Sequence, residues 1–228
     1  MIVLKFGGTS VGTAESIKQV VQIINKTQGN KIVVLSAVSG TTNALVSIID
    51  SLKNNSTIEA SIKVDVLFES YTKLIDNLYN TVNYKTKAIS FIQETFNAIK
   101  ELFHSTFTTK QELFLLAQGE LLSSILVQLY LEEQQLNSSL ISAFDFMKID
   151  VNREPEIQTI SEKLHPILNE NSSQNLWITQ GFICKNHENE IDNLQRGGSD
   201  YTASLIGAAL QATEIQIWTD IDGMHNND

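Results

Sequence analysis

Twice before residue 55, a short β-branched run ends in a glycine-bearing loop and gives way to a helical pattern. Nothing else in the chain constrains its fold as tightly. Residues Ile2 to Phe6 form the first run and end at Gly7-Gly8-Thr9-Ser10. Thr13 is then placed to cap a helix with Glu15 in its first turn. Ile17, Val20, Val21 and Ile24 fall on one face of that helix. Gly29-Asn30 breaks it, and Ile32 to Leu35 is a continuous apolar run of the kind covered on both faces of a sheet. After Ser36 to Gly40, Leu45, Ile48, Ile49 and Leu52 restore the helical spacing. Strand, loop and helix in alternation predict an α/β fold with parallel strands and crossover helices.

The middle of the chain, from about Ile58 to Glu133, is helical and free of proline. One stripe is Leu67, Phe68, Tyr71, Leu74, Ile75 and Leu78; another is Ala88, Phe91, Ile92, Phe96, Ile99 and Phe103. Both read as the packing faces of a helical layer. Gly119-Glu120 interrupts a third helical stretch. Strands are expected at Leu140 to Phe144 and Leu176 to Thr179, a hairpin at Gly181 to Leu194, a helix at Ser199 to Ala212 and a last strand at Glu214 to Thr219. With no repeat, low-complexity tract or linker, residues 1–228 read as one domain. Ile221 to Asp228 reads as a loop leading onward, so the domain is expected to be incomplete at its C-terminus.

The net charge of −10 argues against a nucleic-acid partner, which needs a basic face. It does not exclude phosphate, which backbone N–H groups and a few placed cations can hold. Only two arginines occur, Arg153 and Arg196. The single cysteine, Cys184, excludes an internal disulfide and fits a reducing compartment. No leader precedes the first strand, and no apolar run reaches the roughly 18 residues of a membrane span. A cytoplasmic protein without a membrane partner is expected.

Lys5 lies inside an apolar strand just before two glycines. An ammonium there must reach water or a partner at the strand's end. Snorkelling to the surface is one reading. The other is an anion site, since glycines let the backbone approach a ligand and a helix start favours phosphate. Arg196-Gly197-Gly198-Ser199-Asp200 is the stronger signal, with Ser199 and Asp200 read as cap and first-turn residue of an apolar helix. Ordinary capping explains that pair without a ligand, but a guanidinium fork beside it suits a carboxylate or phosphate. Asp200 would repel phosphate unless Lys5 or Mg²⁺ lay between them. Gly119 lowers helix stability by about 1 kcal/mol against alanine, which points to a bend or a close approach. Glu120 beside it is either solvated or turned toward a site. Gly7, Gly8 and Gly12 fit neither the P-loop nor the dinucleotide spacing, and the protein-kinase and G-x-S-x-G motifs are absent. His104, His165, His187, His225 and Cys184 have no metal-ligand spacing, so no metal site built from protein ligands is expected.

Six segments read together are more specific than any one. Lys5-Phe6-Gly7-Gly8-Thr9-Ser10-Val11, Val34 through Asn43, Gln118-Gly119-Glu120, Thr179-Gln180-Gly181-Phe182, Arg196 through Thr202 and Trp218 through Gly223 resemble the aspartate kinases of the amino-acid kinase family, in the family's order and over nearly the whole chain. The resemblance implies a three-layer αβα sandwich around a mainly parallel sheet, with ATP over the C-terminal strand ends. It implies ATP and Mg²⁺ as cofactors, L-aspartate as acceptor, and Lys5 and Asp200 as the catalytic pair. Gly7, Gly8, Thr9 and Ser10 would line the phosphate site, with Thr219, Asp220 and His225 bordering the nucleotide. Thr42, Glu120 and Arg196, with Gly197, Gly198 and Ser199, would hold L-aspartate, Glu120 on its ammonium and Arg196 on a carboxylate. Gln195 stands where many members have glycine, and His225 where tyrosine is common, so a differently shaped turn is expected at Gln195.

The implied product is 4-phospho-L-aspartate, on the route to lysine, threonine and methionine. The parent enzyme is expected to be a homo-oligomer with regulatory ACT domains beyond Asp228, and these 228 residues alone to turn over slowly or not at all. Two alternatives stay open: an amino-acid kinase acting on glutamate, acetylglutamate or a nucleotide, or an inert nucleotide-binding fragment or regulatory module.

Overall fold

The computed structural model describes residues 1–170 and 174–219. The first repeat forms as its pattern dictates: β1 (Ile2–Phe6), a 3-10 turn at Thr9–Val11 and α1 (Ala14–Lys26). The Thr13 side chain accepts the Ser16 N–H, and the Ser16 hydroxyl accepts the Thr13 N–H, so α1 closes its own N-terminus. Ile17, Val20, Val21 and Ile24 are all buried. β2 (Lys31–Leu35) is buried at every residue, and Gly40, at φ +82°, opens α2 (Thr41–Lys53).

The helical middle is α3 (Thr57–Leu78), α4 (Val82–Glu101), a 3-10 turn at Leu102–His104 and α5 (Thr109–Glu133). Both predicted stripes face the core, with Phe68, Leu74, Phe91 and Phe103 at its margin. Gly119 does not interrupt α5, which runs unbroken. The close approach holds instead, because a Cβ at Gly119 would lie 2.8 Å from that of Ala37. Among the described residues α5 is the one helix long and apolar enough to cross a membrane. Most of its apolar stretch is buried, since α2 and α4 cover one side and the sheet the other.

Three later assignments change. The strand expected at Leu140 to Phe144 is only β3 (Ser139–Leu140), followed by the helical turn α6 (Ala143–Phe146). The Ile141 N–H still bonds Ile178 O, but the Ala143 N–H turns to the Gln180 side chain, and the chain leaves the sheet. A helix not assigned from sequence, α7 (Ile157–Glu170), buries Ile160, Leu164 and Leu168 at helical spacing; the Pro166 within it masks the signal. β4 (Leu176–Gln180) and the hairpin of β5 (Ile183–Lys185) with β6 (Ile191–Asn193) form as expected. The helix expected to reach Ala212 is α8 (Gly198–Ala209), ended by left-handed Gln211 at φ +49°, and β7 (Glu214–Trp218) follows.

The five-stranded sheet runs β3-β4-β2-β1-β7, parallel throughout. Strand alternation sorts its side chains between two cores. Leu4, Phe6, Val33, Leu35 and Ile178 pack under α1 to α5, while Val3, Ile32, Val34 and Trp177 pack under α6 to α8. The result is three layers, helix on sheet on helix. β7 lies at the sheet's edge and exposes Ile215, Ile217 and Trp218.

Candidate functional site

The C-terminal ends of β1, β2 and β4 open into a cleft of about 370 Å³. Lys5 is on the α8 face of β1, one pleat from Val3, and its side chain runs under the start of α8. There its Nζ lies 2.7 Å from Asp200 Oδ1, with the lysine side chain 9 % exposed and the carboxylate 51 %. The partner required by a buried ammonium is thus a carboxylate from the far end of the sequence, and snorkelling is excluded. Gly8 is needed for close packing, because a Cβ there would meet Ala37 O at 2.9 Å. The Gly7 N–H is already used within the fold, donating to Trp218 O at 3.3 Å.

Two helices present unclosed N-termini to this cleft. Gly40 opens α2 and Gly197, at φ +77°, opens α8, and neither helix has a side-chain cap. Ser199 is therefore not the cap; it sits inside the first turn of α8 beside Asp200. It packs so closely on Gly181 that a Cβ there would lie 2.6 Å from its own. Backbone N–H groups at such helix starts are ready donors to an anion.

Glu120 reaches the same cleft from α5. It is 5 % exposed, and its Oε1 accepts the Ala37 N–H at 3.3 Å. It has no ion-pair partner among the described residues, and burial pushes its carboxyl up to about 8. Across the cleft Arg196 is exposed, lines the opening and makes no ion pair with any described residue. Thr42 lines it from the first turn of α2.

The structure therefore brings together Lys5, Gly8, Thr42, Glu120, Arg196, Gly197, Gly198, Ser199 and Asp200. Thr9, Ser10 and Thr219 line a neighbouring hollow of about 260 Å³, roofed by the stacked rings of Phe6 and Trp218. Asp220 and His225 lie outside the described residues. Two residues that sequence reasoning did not place in the site line the cleft in left-handed conformations: Phe182 at φ +65° and Gln195 at φ +60°. The turn at Gln195 thus holds a glutamine where glycine is free of strain. Phe182 is held there from both sides, its N–H on Thr202 Oγ1 at 3.0 Å and its carbonyl accepting the Leu194 N–H at 2.8 Å. Residue type carried no hint of this, because the strain is set by partners remote in sequence.

No three His, Cys, Asp or Glu side chains among the described residues are grouped to hold a metal. Mg²⁺ in phosphoryl-transfer sites needs only one or two carboxylates besides the substrate's phosphates, and Asp200 is placed to offer one.

The profile of the amino acid kinase family matches residues 1–228. The chain belongs to that family. Over its full length the chain is 35 % identical to the bifunctional aspartokinase/homoserine dehydrogenase of Buchnera aphidicola, covering 29 % of that protein. It is 31 % identical to the lysine-sensitive aspartokinase 3 of Escherichia coli, covering 51 % of it. The solved structure of E. coli aspartokinase III with lysine and aspartate matches 98 % of this chain and 50 % of its own at a TM-score of 0.88 and 29 % identity. The same enzyme with aspartate and ADP matches at 0.84. The chain thus spans about half the length of these relatives or less.

Proposed function

We propose that the cleft catalyses transfer of the γ-phosphoryl group of ATP to the side-chain carboxylate of L-aspartate, giving 4-phospho-L-aspartate for the synthesis of lysine, threonine and methionine. The observation that carries this reading is Glu120, a buried carboxylate without a cation partner, sharing one cleft with the unpaired Arg196 and the Lys5–Asp200 pair. A buried carboxylate calls for a cation, and an unpaired guanidinium suits a carboxylate. An acceptor with one ammonium and two carboxylates satisfies both and still presents a carboxylate toward Lys5. E. coli aspartokinase III, solved with aspartate and ADP, supports the same pairing of ligands.

The acceptor carboxylate has an ordinary pKa of about 3.9 and is ionised at neutral pH, so no general base is needed. Its oxygen forms a bond to the γ-phosphorus as the bond to the bridging oxygen of ADP breaks, and no proton moves. The obstacle is repulsion between anions. Lys5 offsets that charge, and the N–H groups opening α2 and α8 hold anionic oxygens in place. Mg²⁺, which would be held by the ATP phosphates with Asp200, neutralises phosphate charge when bound. Asp200 also keeps the Lys5 ammonium turned into the cleft.

Incubating the full-length protein with ATP and single amino acids, then trapping acyl phosphate with hydroxylamine, tests the reading. Hydroxamate with aspartate alone is expected. Equal product from glutamate, or none from aspartate, overturns it.

A further inference from the structure

The loop that carries the acceptor side of the cleft, Ser36 to Thr41, is tied at both ends. At its start the Ser123 hydroxyl donates to Ser36 O at 2.6 Å, and the Ala37 N–H donates to Glu120. Both ties come from α5, which packs Gly119 directly on Ala37. At its finish the hydroxyls of Thr41 and Tyr71 are 2.9 Å apart, each residue 1 % exposed. Tyr71 belongs to α3, and its ring is set edge-on against Phe96 of α4. Thr41 itself lies against α5 beside Glu120, since a Cβ at Gly119 would be 3.6 Å from its Cγ2. Behind the turn is a hollow of about 450 Å³ lined by Ser39, Gly40, Thr41 and Tyr71. The first turn of α2 therefore has room to move, and the hydroxyl pair opposes that movement.

Given the acceptor site described above, we propose that Tyr71 is a positioning residue for it: its hydroxyl holds Thr41, and through the backbone Thr42, at a set distance from Glu120. Tyr71 touches no substrate. It transmits the rigidity of the α3–α4 core to the edge of the cleft that faces this hollow.

Tyr79 provides a matched control. It is 2 % exposed, packs against Tyr130, and its hydroxyl donates to Leu126 O at 2.7 Å, so Tyr79→Phe also removes one buried hydroxyl bond, but away from the cleft. In the full-length protein, Tyr71→Phe is expected to raise KM for aspartate about five- to tenfold, with kcat and KM for ATP within about twofold of wild type. Thr41→Val is expected to do the same, Thr41→Ser to keep wild-type kinetics, and the Tyr71→Phe/Thr41→Val double variant to be no worse than either alone. Tyr79→Phe is expected to lower the melting temperature and leave KM alone. Equal KM in Tyr71→Phe and Tyr79→Phe, or additive effects of Tyr71→Phe and Thr41→Val, overturns the inference. Amide exchange reads the tie without catalysis: Tyr71→Phe is expected to speed exchange at Gly40 to Asn43, and Tyr79→Phe is not. Unchanged exchange sinks the positioning role, whereas fast exchange in a protein that makes no acyl phosphate from aspartate sinks the substrate assignment alone.

Discussion

Helices α1, α2 and α8 pack on one sheet, yet they open differently. α1 completes its first turn with its own residues, Thr13 and Ser16 each serving the other's backbone. α2 and α8 begin at left-handed glycines with no side-chain cap, and only these two line the cleft. Of these three starts, the one away from the cleft is closed by its own side chains, whereas the two at the cleft leave first-turn N–H groups with no side-chain partner. Buried charge follows the same division. Glu120 lacks a cation at the cleft, whereas Asp192, equally buried within β6, is met by Arg153 at 2.8 Å.

Removing the cleft's cation tests this contrast most severely. Lys5→Met is expected to lower kcat by roughly 10²- to 10³-fold with little change in circular dichroism, because it deletes the charge proposed to face the transferring phosphate. A loss smaller than tenfold would assign phosphate stabilisation to the helix starts alone.

Glu120→Gln comes next, with an aspartate KM about 10²-fold higher and ATP binding intact. Its effect on stability has the opposite sign. The Glu120 carboxyl titrates at about 8 in the fold against 4.5 when unfolded, so the folded state holds the extra proton in between. Stability from this group is therefore full below about 4.5 and is lost as pH rises toward 8. Melting curves should show the ligand-free variant gaining stability over wild type as pH rises through that window. By the same linkage, aspartate binding to wild type should tighten from pH 6 to 8 and release a proton near pH 7, measurable by calorimetry in two buffers. Binding without proton release would mean that the acceptor's ammonium is held elsewhere.

The smallest effects compare the helix starts directly. Thr13→Ala should cost about 1 kcal/mol of stability and leave every kinetic constant alone. Gly197→Ala meets no atom within 4 Å, so its cost is the left-handed backbone, on the order of 1–2 kcal/mol. It should also raise KM, because that turn lines the cleft. Kinetic silence in both variants would break the distinction between closed and open helix starts.

The α/β alternation, the core faces of α1 to α4 and the hairpin were legible because period and turn chemistry are local. β3 and α7 were not. Ile141 to Phe144 has strand composition, but Gln180 draws the Ala143 N–H out of the sheet, and Pro166 hides a helix whose three buried residues keep their spacing. Within the site, the glycine clusters and Arg196 stood out by type. Gln195 was legible only as a departure at a turn, and Phe182 and Tyr71 were not legible at all, since their partners, Thr202, Leu194 and Thr41, are distant in sequence.

By itself the sequence determined the succession of strands, glycine loops and helices, and which side chains could carry phosphate chemistry. Only the tertiary structure decided that Lys5 meets Asp200, that Glu120 is buried without a cation, and that α2 and α8 rather than α1 leave their first turns open. The physical reason is that the charge state of a buried group and the satisfaction of a helix end depend on what packs around them, and those neighbours are supplied by chain segments far apart.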